Sequence, residues 1–202
     1  MASLDVGSPH YNDKYSVDYK KAEPLKKFSK KKEIKRMSSY AAELLRRQYI
    51  DLARNPPDGI SVGLGDDENI FKWDLMIVGP PDTLYEGGFF QAKLEFPNDF
   101  PNAPPTMTFV TSIWHPNVYE DGKVCISILH PPGDDAFNEQ ETADVRWRPI
   151  LGVESIIISV ISMLSDPNDD SPANVDAAVM WRNDRTEFKR RVRDIVRRSQ
   201  ES

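Results

Sequence analysis

The chain carries one thiol, Cys125, inside a polar, turn-forming stretch that includes Asn117, Asp121 and Gly122. A cysteine thiolate forms a covalent acyl intermediate and can exchange it to another nucleophile. Irregular segments carried on a regular scaffold are where reactive groups tend to sit, and Cys125 lies in the least regular part of the chain. A single cysteine excludes a disulfide framework. His115, Cys125 and His130 lack the paired spacing of a structural metal site, so no metal is expected. Gly79-Pro80-Pro81 is a turn and not a phosphate loop, and no organic cofactor is expected.

These residues need a frame. Ala41, Leu45, Tyr49 and Leu52 recur at helical spacing behind Ser38-Ser39, a candidate cap, and Asn55-Pro56-Pro57 ends that helix. Alternation follows: Phe71, Trp73, Leu75 and Ile77 share one strand face, and Phe90, Ala92, Leu94 and Phe96 another. Met107, Phe109 and Val110 mark a further strand. Clusters of Gly, Pro, Asn and Asp separate these runs, which predicts an antiparallel meander. Residues 113–149 are irregular and rich in carboxylates, and a loop of that length in a compact domain is functional or disordered. Val153, Ile156, Ile157, Val160, Ile161 and Leu164 then predict a deeply buried helix. Ser171-Pro172 offers a helix start, and Asp184 to Glu187 a capping box before the stripe Phe188, Val192, Ile195 and Val196. The fold class is α+β: a meander sheet packed by an N-terminal helix, a central helix and C-terminal helices.

Of 202 residues, 39% are apolar and the net charge is −6, enough for a core and unfavourable for general nucleic-acid binding. Residues 1–37 differ from the rest. They carry a net charge of +5, few aliphatic side chains and the basic run Lys26 to Lys32, while residues 38–202 carry −11. Residues 1–37 therefore read as a solvated, disordered arm, with nuclear import or electrostatic docking as its possible uses, and 38–202 as the folded domain. No apolar run is long enough to span a bilayer and no signal peptide is evident, so the expected setting is cytoplasmic, nuclear or both.

His115-Pro116-Asn117, with Asn117 eight residues before Cys125, resembles the signature of the ubiquitin-conjugating enzymes. The likeness runs over roughly residues 38–200. It takes in Gly79 to Gly88, Phe96 to Pro101 with Pro104-Pro105, Trp114 to Asn117, Gly122 to Ile126, Trp147-Arg148-Pro149 and Asp166-Pro167-Asn168. The segment between Cys125 and Trp147, with His130-Pro131-Pro132-Gly133-Asp134-Asp135, is similar to the acidic-loop insertion of the family's G-type branch. Residues 1–37 lie outside the likeness.

The resemblance implies a fold with a four-stranded sheet and an acyl-transfer cycle. The activating enzyme passes ubiquitin's C-terminal carboxyl group to Cys125 as a thioester, and a lysine of a substrate or of another ubiquitin attacks it. The tetrahedral intermediate is an oxyanion, and a neutral amide can stabilise it without a proton to lose. By resemblance Asn117 is that donor, or holds the loop that positions the thioester. His115 and Pro116 are structural in the motif. Relatives often place an acid after the Asp-Pro-Asn turn, where this chain has Ser171, so the G-type loop offers substitutes: Asp134 or Asp135 to orient the lysine, and His130 to shape the loop. RING-type ligase docking maps to Arg46 and Arg47, to the Asn102-Ala103-Pro104 loop and to Pro149-Ile150; Asn102 stands where many relatives have an apolar anchor.

The expected function is therefore polyubiquitin chain formation, of the kind that marks proteins for degradation, with ATP consumed by the activating enzyme. The partners are ubiquitin, the activating enzyme, a RING-type ligase and substrate lysines. Three other readings compete: a scaffold without catalysis, a conjugating enzyme for another modifier, and a thiol hydrolase, which would need a histidine oriented against Cys125 by Asn or Asp.

Overall fold

The computed structural model describes residues 30–65, 69–134 and 141–201. Residues 1–29, most of the expected arm, lie outside that range, as does Asp135. Helix α1 spans Lys30–Arg54. It starts eight residues before the expected Ser38 cap. Residues 30–37 are mostly Lys, Arg, Glu and Met, all strong helix formers, and two serines in sequence cost a helix far less than a glycine or proline would. The helix therefore runs through them.

Four strands follow: β1 (Ile60–Leu64), β2 (Lys72–Val78), β3 (Phe89–Glu95) and β4 (Thr106–Phe109). They pair antiparallel in chain order, a meander. The register sets Trp73 opposite Leu94, Leu75 opposite Ala92, Ile77 opposite Phe90, and Leu94 opposite Met107. All these side chains are buried, while Asp74, Gln91 and Lys93 on the other face are exposed. The period of two thus gives one wet and one dry face. Val110 ends outside β4 and is 55% exposed.

The dry face shares its core with α1, through Ala41, Leu45 and Leu52, and with α2 (Val153–Ser165), through Val153, Ile156, Ile157, Val160 and Leu164. Each large aliphatic side chain fully buried there contributes about 1.5–3 kcal/mol. Helices α3 (Val175–Asn183) and α4 (Arg185–Gln200) complete the domain. Helix α3 starts at Asn174 rather than at Ser171. The Asn174 side chain accepts from Ala177 N–H at 2.9 Å, and its own N–H donates to Pro116 O at 2.9 Å. Asp184 caps α4 by accepting from Glu187 N–H at 3.0 Å, but the Glu187 carboxylate turns to Arg190, so the box is half made. No helix among the described residues is long and apolar enough to cross a membrane.

An aromatic row links this frame to the irregular segment. Tyr49, Trp73, Phe96, Phe100 and Trp147 touch in sequence at centroid distances of 5.0–5.7 Å, mostly edge-on or tilted. Each such pair adds about 0.5–1.5 kcal/mol beyond area burial. At its end the buried Trp147 donates from Nε1 to Pro101 O at 2.7 Å and from its backbone N–H to His130 O at 3.2 Å. The core therefore reaches the backbone of His130.

Candidate active site

Cys125 follows a narrow ribbon that extends the sheet. Val124 N–H donates to Met107 O at 2.9 Å, Phe109 N–H donates to Gly122 O at 2.9 Å, and Thr108 bridges Lys123. The turn at 119–122 returns the chain through Gly122 at φ +88°, where a Cβ would lie 2.2 Å from Phe109 O; only glycine fits both the dihedral and the gap. Cys125 N–H then donates to Asn117 O at 3.0 Å, so the two arms of the ribbon hold the thiol and the asparagine side by side.

His115 supports Asn117 from below. It is fully buried; its Nδ1 accepts from Asn117 N–H and its Nε2 faces Met163 O, each at 2.9 Å. An acceptor at Nδ1 and a carbonyl at Nε2 fix the neutral Nε2–H tautomer. Burial pulls the imidazole down to about 4, partly opposed by the Met163 bond. It is thus a neutral brace. The Asn117 amide is bracketed by the backbone of one residue: Nδ2 donates to Asn168 O at 2.6 Å and Oδ1 accepts from Asn168 N–H at 2.9 Å. A primary amide has two N–H donors, so one remains for another acceptor.

Cys125, Asn117, His130, Glu141 and Asn168 line one cleft of about 360 Å³, with Asp170 and Ser171 also on its wall. His130 closes the turn Ser127–Leu129 and stands with Nε2 3.3 Å from the Cys125 sulfur. Its Nδ1 meets both Glu141 oxygens at 2.8 and 2.9 Å, and Glu141 in turn pairs with Arg146 at 3.3 Å. The bond to Cys125 raises His130 to about 9, against the effect of burial and with help from Glu141. The same bond, aided by the Tyr119 hydroxyl, lowers Cys125 against burial. Burial would raise Glu141, but the Ser127 hydroxyl, His130 and Arg146 together hold it low. The geometry therefore draws the pair toward a thiolate beside an imidazolium.

Glu141 was not singled out by the sequence. It is one of five carboxylates between residues 134 and 144, and nothing in its neighbours marks it. Asp134 sits on the exposed side of the loop, accepting from Ala143 N–H at 3.1 Å. Residues beside the candidate ligase segments are linked in pairs. Gln48 of α1 accepts from Val153 N–H at 2.8 Å, and Trp147 ties the 149–150 loop to Pro101. Arg46, Asn102, Pro149 and Ile150 are exposed, Ile150 at 87%, and Arg47 pairs with Glu43 at 3.1 Å.

A nucleophile, a base and an orienting carboxylate in one file can run hydrolysis or acyl transfer. Comparison with known proteins separates these. The family model described as ubiquitin-conjugating enzyme matches residues 44–196. Ubiquitin-conjugating enzyme E2 7 of Arabidopsis thaliana is 59% identical over 165 residues, covering 82% of this chain and 99% of its own. Ubiquitin-conjugating enzyme E2 15 of Schizosaccharomyces pombe is 59% identical over 162 residues, 80% of this chain and 96% of its own. Ubiquitin-conjugating enzyme E2 G2 of Homo sapiens is 49% identical over 163 residues, 81% and 98%.

Proposed function

The chain belongs to the ubiquitin-conjugating enzyme family, in its G-type branch, and from that premise we propose how its cleft works. The Cys125 thiolate attacks the thioester carbonyl of ubiquitin held on the activating enzyme. A new C–S bond forms to Cys125 and the activating enzyme's sulfur leaves as a thiolate. A lysine amine of a substrate or of another ubiquitin then attacks the same carbonyl; the C–N bond forms, the C–S bond breaks, and Cys125 leaves as a thiolate. The remaining Asn117 N–H serves the oxyanion between these steps.

The observation that carries this reading is the Cys125–His130–Glu141 file. Before loading, His130 draws the sulfur toward the thiolate. Acylation removes the sulfur's charge, and with it the largest influence raising His130. The imidazolium then releases its proton to solvent, and the neutral ring, still oriented by Glu141, accepts the proton that the attacking amine must shed, since a free lysine has a pKa of about 10.4. Asp134 and Asp135 orient the incoming lysine from the acidic loop. A RING-type ligase docks on Arg46, Arg47, Asn102, Pro149 and Ile150. The product is a polyubiquitin chain of the degradation-signalling kind, and the basic segment at 1–37, whose last residues open α1, serves docking or import.

The test is a charging assay with ubiquitin, activating enzyme and ATP, read on reducing and non-reducing gels beside Cys125→Ser. A thiol-sensitive adduct on the wild type and a thiol-resistant ester on the serine variant are expected, followed by a lysine-linked product when lysine is added. A folded chain that takes no adduct while a control enzyme loads would overturn the reading; an adduct that yields only free ubiquitin would make it a hydrolase.

A further inference from the structure

The Asn117 amide is only as well placed as the Asn168 backbone that brackets it. That residue lies in the 166–174 connection between α2 and α3, which has no regular structure. The connection's two ends are anchored: His115 Nε2 donates to Met163 O at the close of α2, and Asn174 N–H donates to Pro116 O at the start of α3. Its middle, apart from the bonds to Asn117 itself, is held by a side chain of α3. Arg182, near the end of α3, meets the Asp169 carboxylate through Nε at 2.5 Å, donates to the Asp169 carbonyl, and reaches the Asp170 carboxylate at 3.3 Å. A guanidinium is suited to this, because its fork holds several acceptors in fixed relative positions. Asp169 follows directly on Asn168, and Asp170 N–H bonds Asn168 Oδ1 at 3.1 Å, so the grip holds both the Asn168 backbone, through the next residue, and the Asn168 side chain.

We infer that Arg182 is a positioning residue for acyl transfer: by gripping Asp169 and Asp170 it fixes the Asn168 backbone, and through it the Asn117 amide that meets the oxyanion. The inference rests on the oxyanion reading of Asn117. Arg182 touches no reacting atom. Its side chain is half exposed, at 49%, so its grip is open to screening by salt.

The test uses the full chain, loaded with ubiquitin, freed of the activating enzyme and discharged onto free lysine without ligase. Arg182→Met is expected to lower kcat about tenfold, a fraction of the 10²–10³ that loss of a whole oxyanion donor costs. KM for lysine should hold, because the lost interaction exists in the transition state alone. Arg182→Lys, a point charge without the fork, should recover part of the loss. Raising salt from 0.05 to about 0.5 M should slow the wild type and leave Arg182→Met unchanged. On an Asn117→Ala background, Arg182→Met should cost little more, because the group it positions is gone. Thermal unfolding of both arginine variants checks that the domain is intact. A wild-type rate in Arg182→Met, or a full tenfold loss that persists with Asn117→Ala, overturns this inference and leaves the Asn117 reading standing. A wild-type rate in Asn117→Ala overturns the Asn117 reading and this one with it.

Discussion

Cys125 Sγ and His130 Nε2 face each other at 3.3 Å across the single turn Ser127–Leu129, and the pair is polarised toward thiolate and imidazolium. Five residues of sequence separate them, but the approach is not local. The Cys125 backbone is held by Asn117, the His130 backbone by Trp147, and the His130 ring by Glu141. Three separate segments must be folded before the two side chains meet.

Alkylation of the unloaded protein reads this pair directly. The rate of Cys125 modification by iodoacetamide follows the thiolate fraction, and an unperturbed thiol titrates near 8.5. The wild type should reach half its maximal rate below that value. His130→Gln removes the largest cause of the lowering, so its midpoint should move up toward the ordinary thiol range. Identical midpoints in the two proteins would remove the ion pair from the mechanism.

Glu141→Gln separates orientation from charge. Glutamine keeps an oxygen to accept the His130 Nδ1–H but loses the negative charge that helps to raise the imidazole. The His130 titration, followed by NMR in the folded variant, should move down from about 9. Discharge of the loaded variant onto lysine should slow by about tenfold or more, the lower end of what a positioned base contributes. An unmoved His130 titration would show that Glu141 is held by Arg146 and does not act on the histidine.

Patterns that depend on neighbours in sequence were legible, and those that depend on chain return were not. The faces of β2 and β3 follow from alternation because one side is buried and the other wet. The five residues of β1 alternate too, through Ile60, Val62 and Leu64, yet they sit between turns and include Gly63, so the strand escapes notice without its partner β2. The α3 cap was misplaced for a related reason. Ser171 has the better local signature, but the bond from Asn174 N–H to Pro116 O fixes where the helix can begin. In the site, Cys125 and Asn117 stand out by residue type and spacing. Glu141 does not, because its role depends on which of five similar carboxylates the fold returns to His130. Arg182 is one charged helix residue among many in the sequence, and only the fold brings it to Asp169 and Asp170.

The ribbon that carries Cys125 has one backbone position that tolerates no side chain. Gly122→Ala would put a Cβ 2.2 Å from Phe109 O at a φ of +88°. Strain of this kind costs about 1–3 kcal/mol, and relieving the overlap must also stretch the bond from Phe109 N–H to Gly122 O. Urea unfolding should show a loss of about 3 kcal/mol or more, with slower loading of whatever remains folded, since the displaced turn feeds the Cys125 backbone. Stability within about 0.5 kcal/mol of the wild type, the usual range of a neutral surface change, would mean that the turn relaxes freely.

His115 sets the acid limit of the fold. Its imidazole titrates near 6.5 when unfolded and is pulled down to about 4 in the native protein by burial. Above pH 6.5 it is neutral in both states, and its contribution to stability is fully present. Between 6.5 and 4 the unfolded chain binds a proton that the folded chain refuses, so stability falls as the pH falls. The loss saturates below 4, at about 3 kcal/mol for this group alone. Charging the ring would also make Nδ1 a donor against the Asn117 N–H that it now accepts from. Urea midpoints should therefore drop between pH 7 and 4.5 more steeply in the wild type than in His115→Gln, which cannot take up the proton. The variant starts from lower stability at pH 7, having lost ring packing, but its slope with pH is the readout. Equal slopes would mean that the native ring accepts a proton as readily as the unfolded one, and that the tautomer holding Asn117 is not enforced by burial.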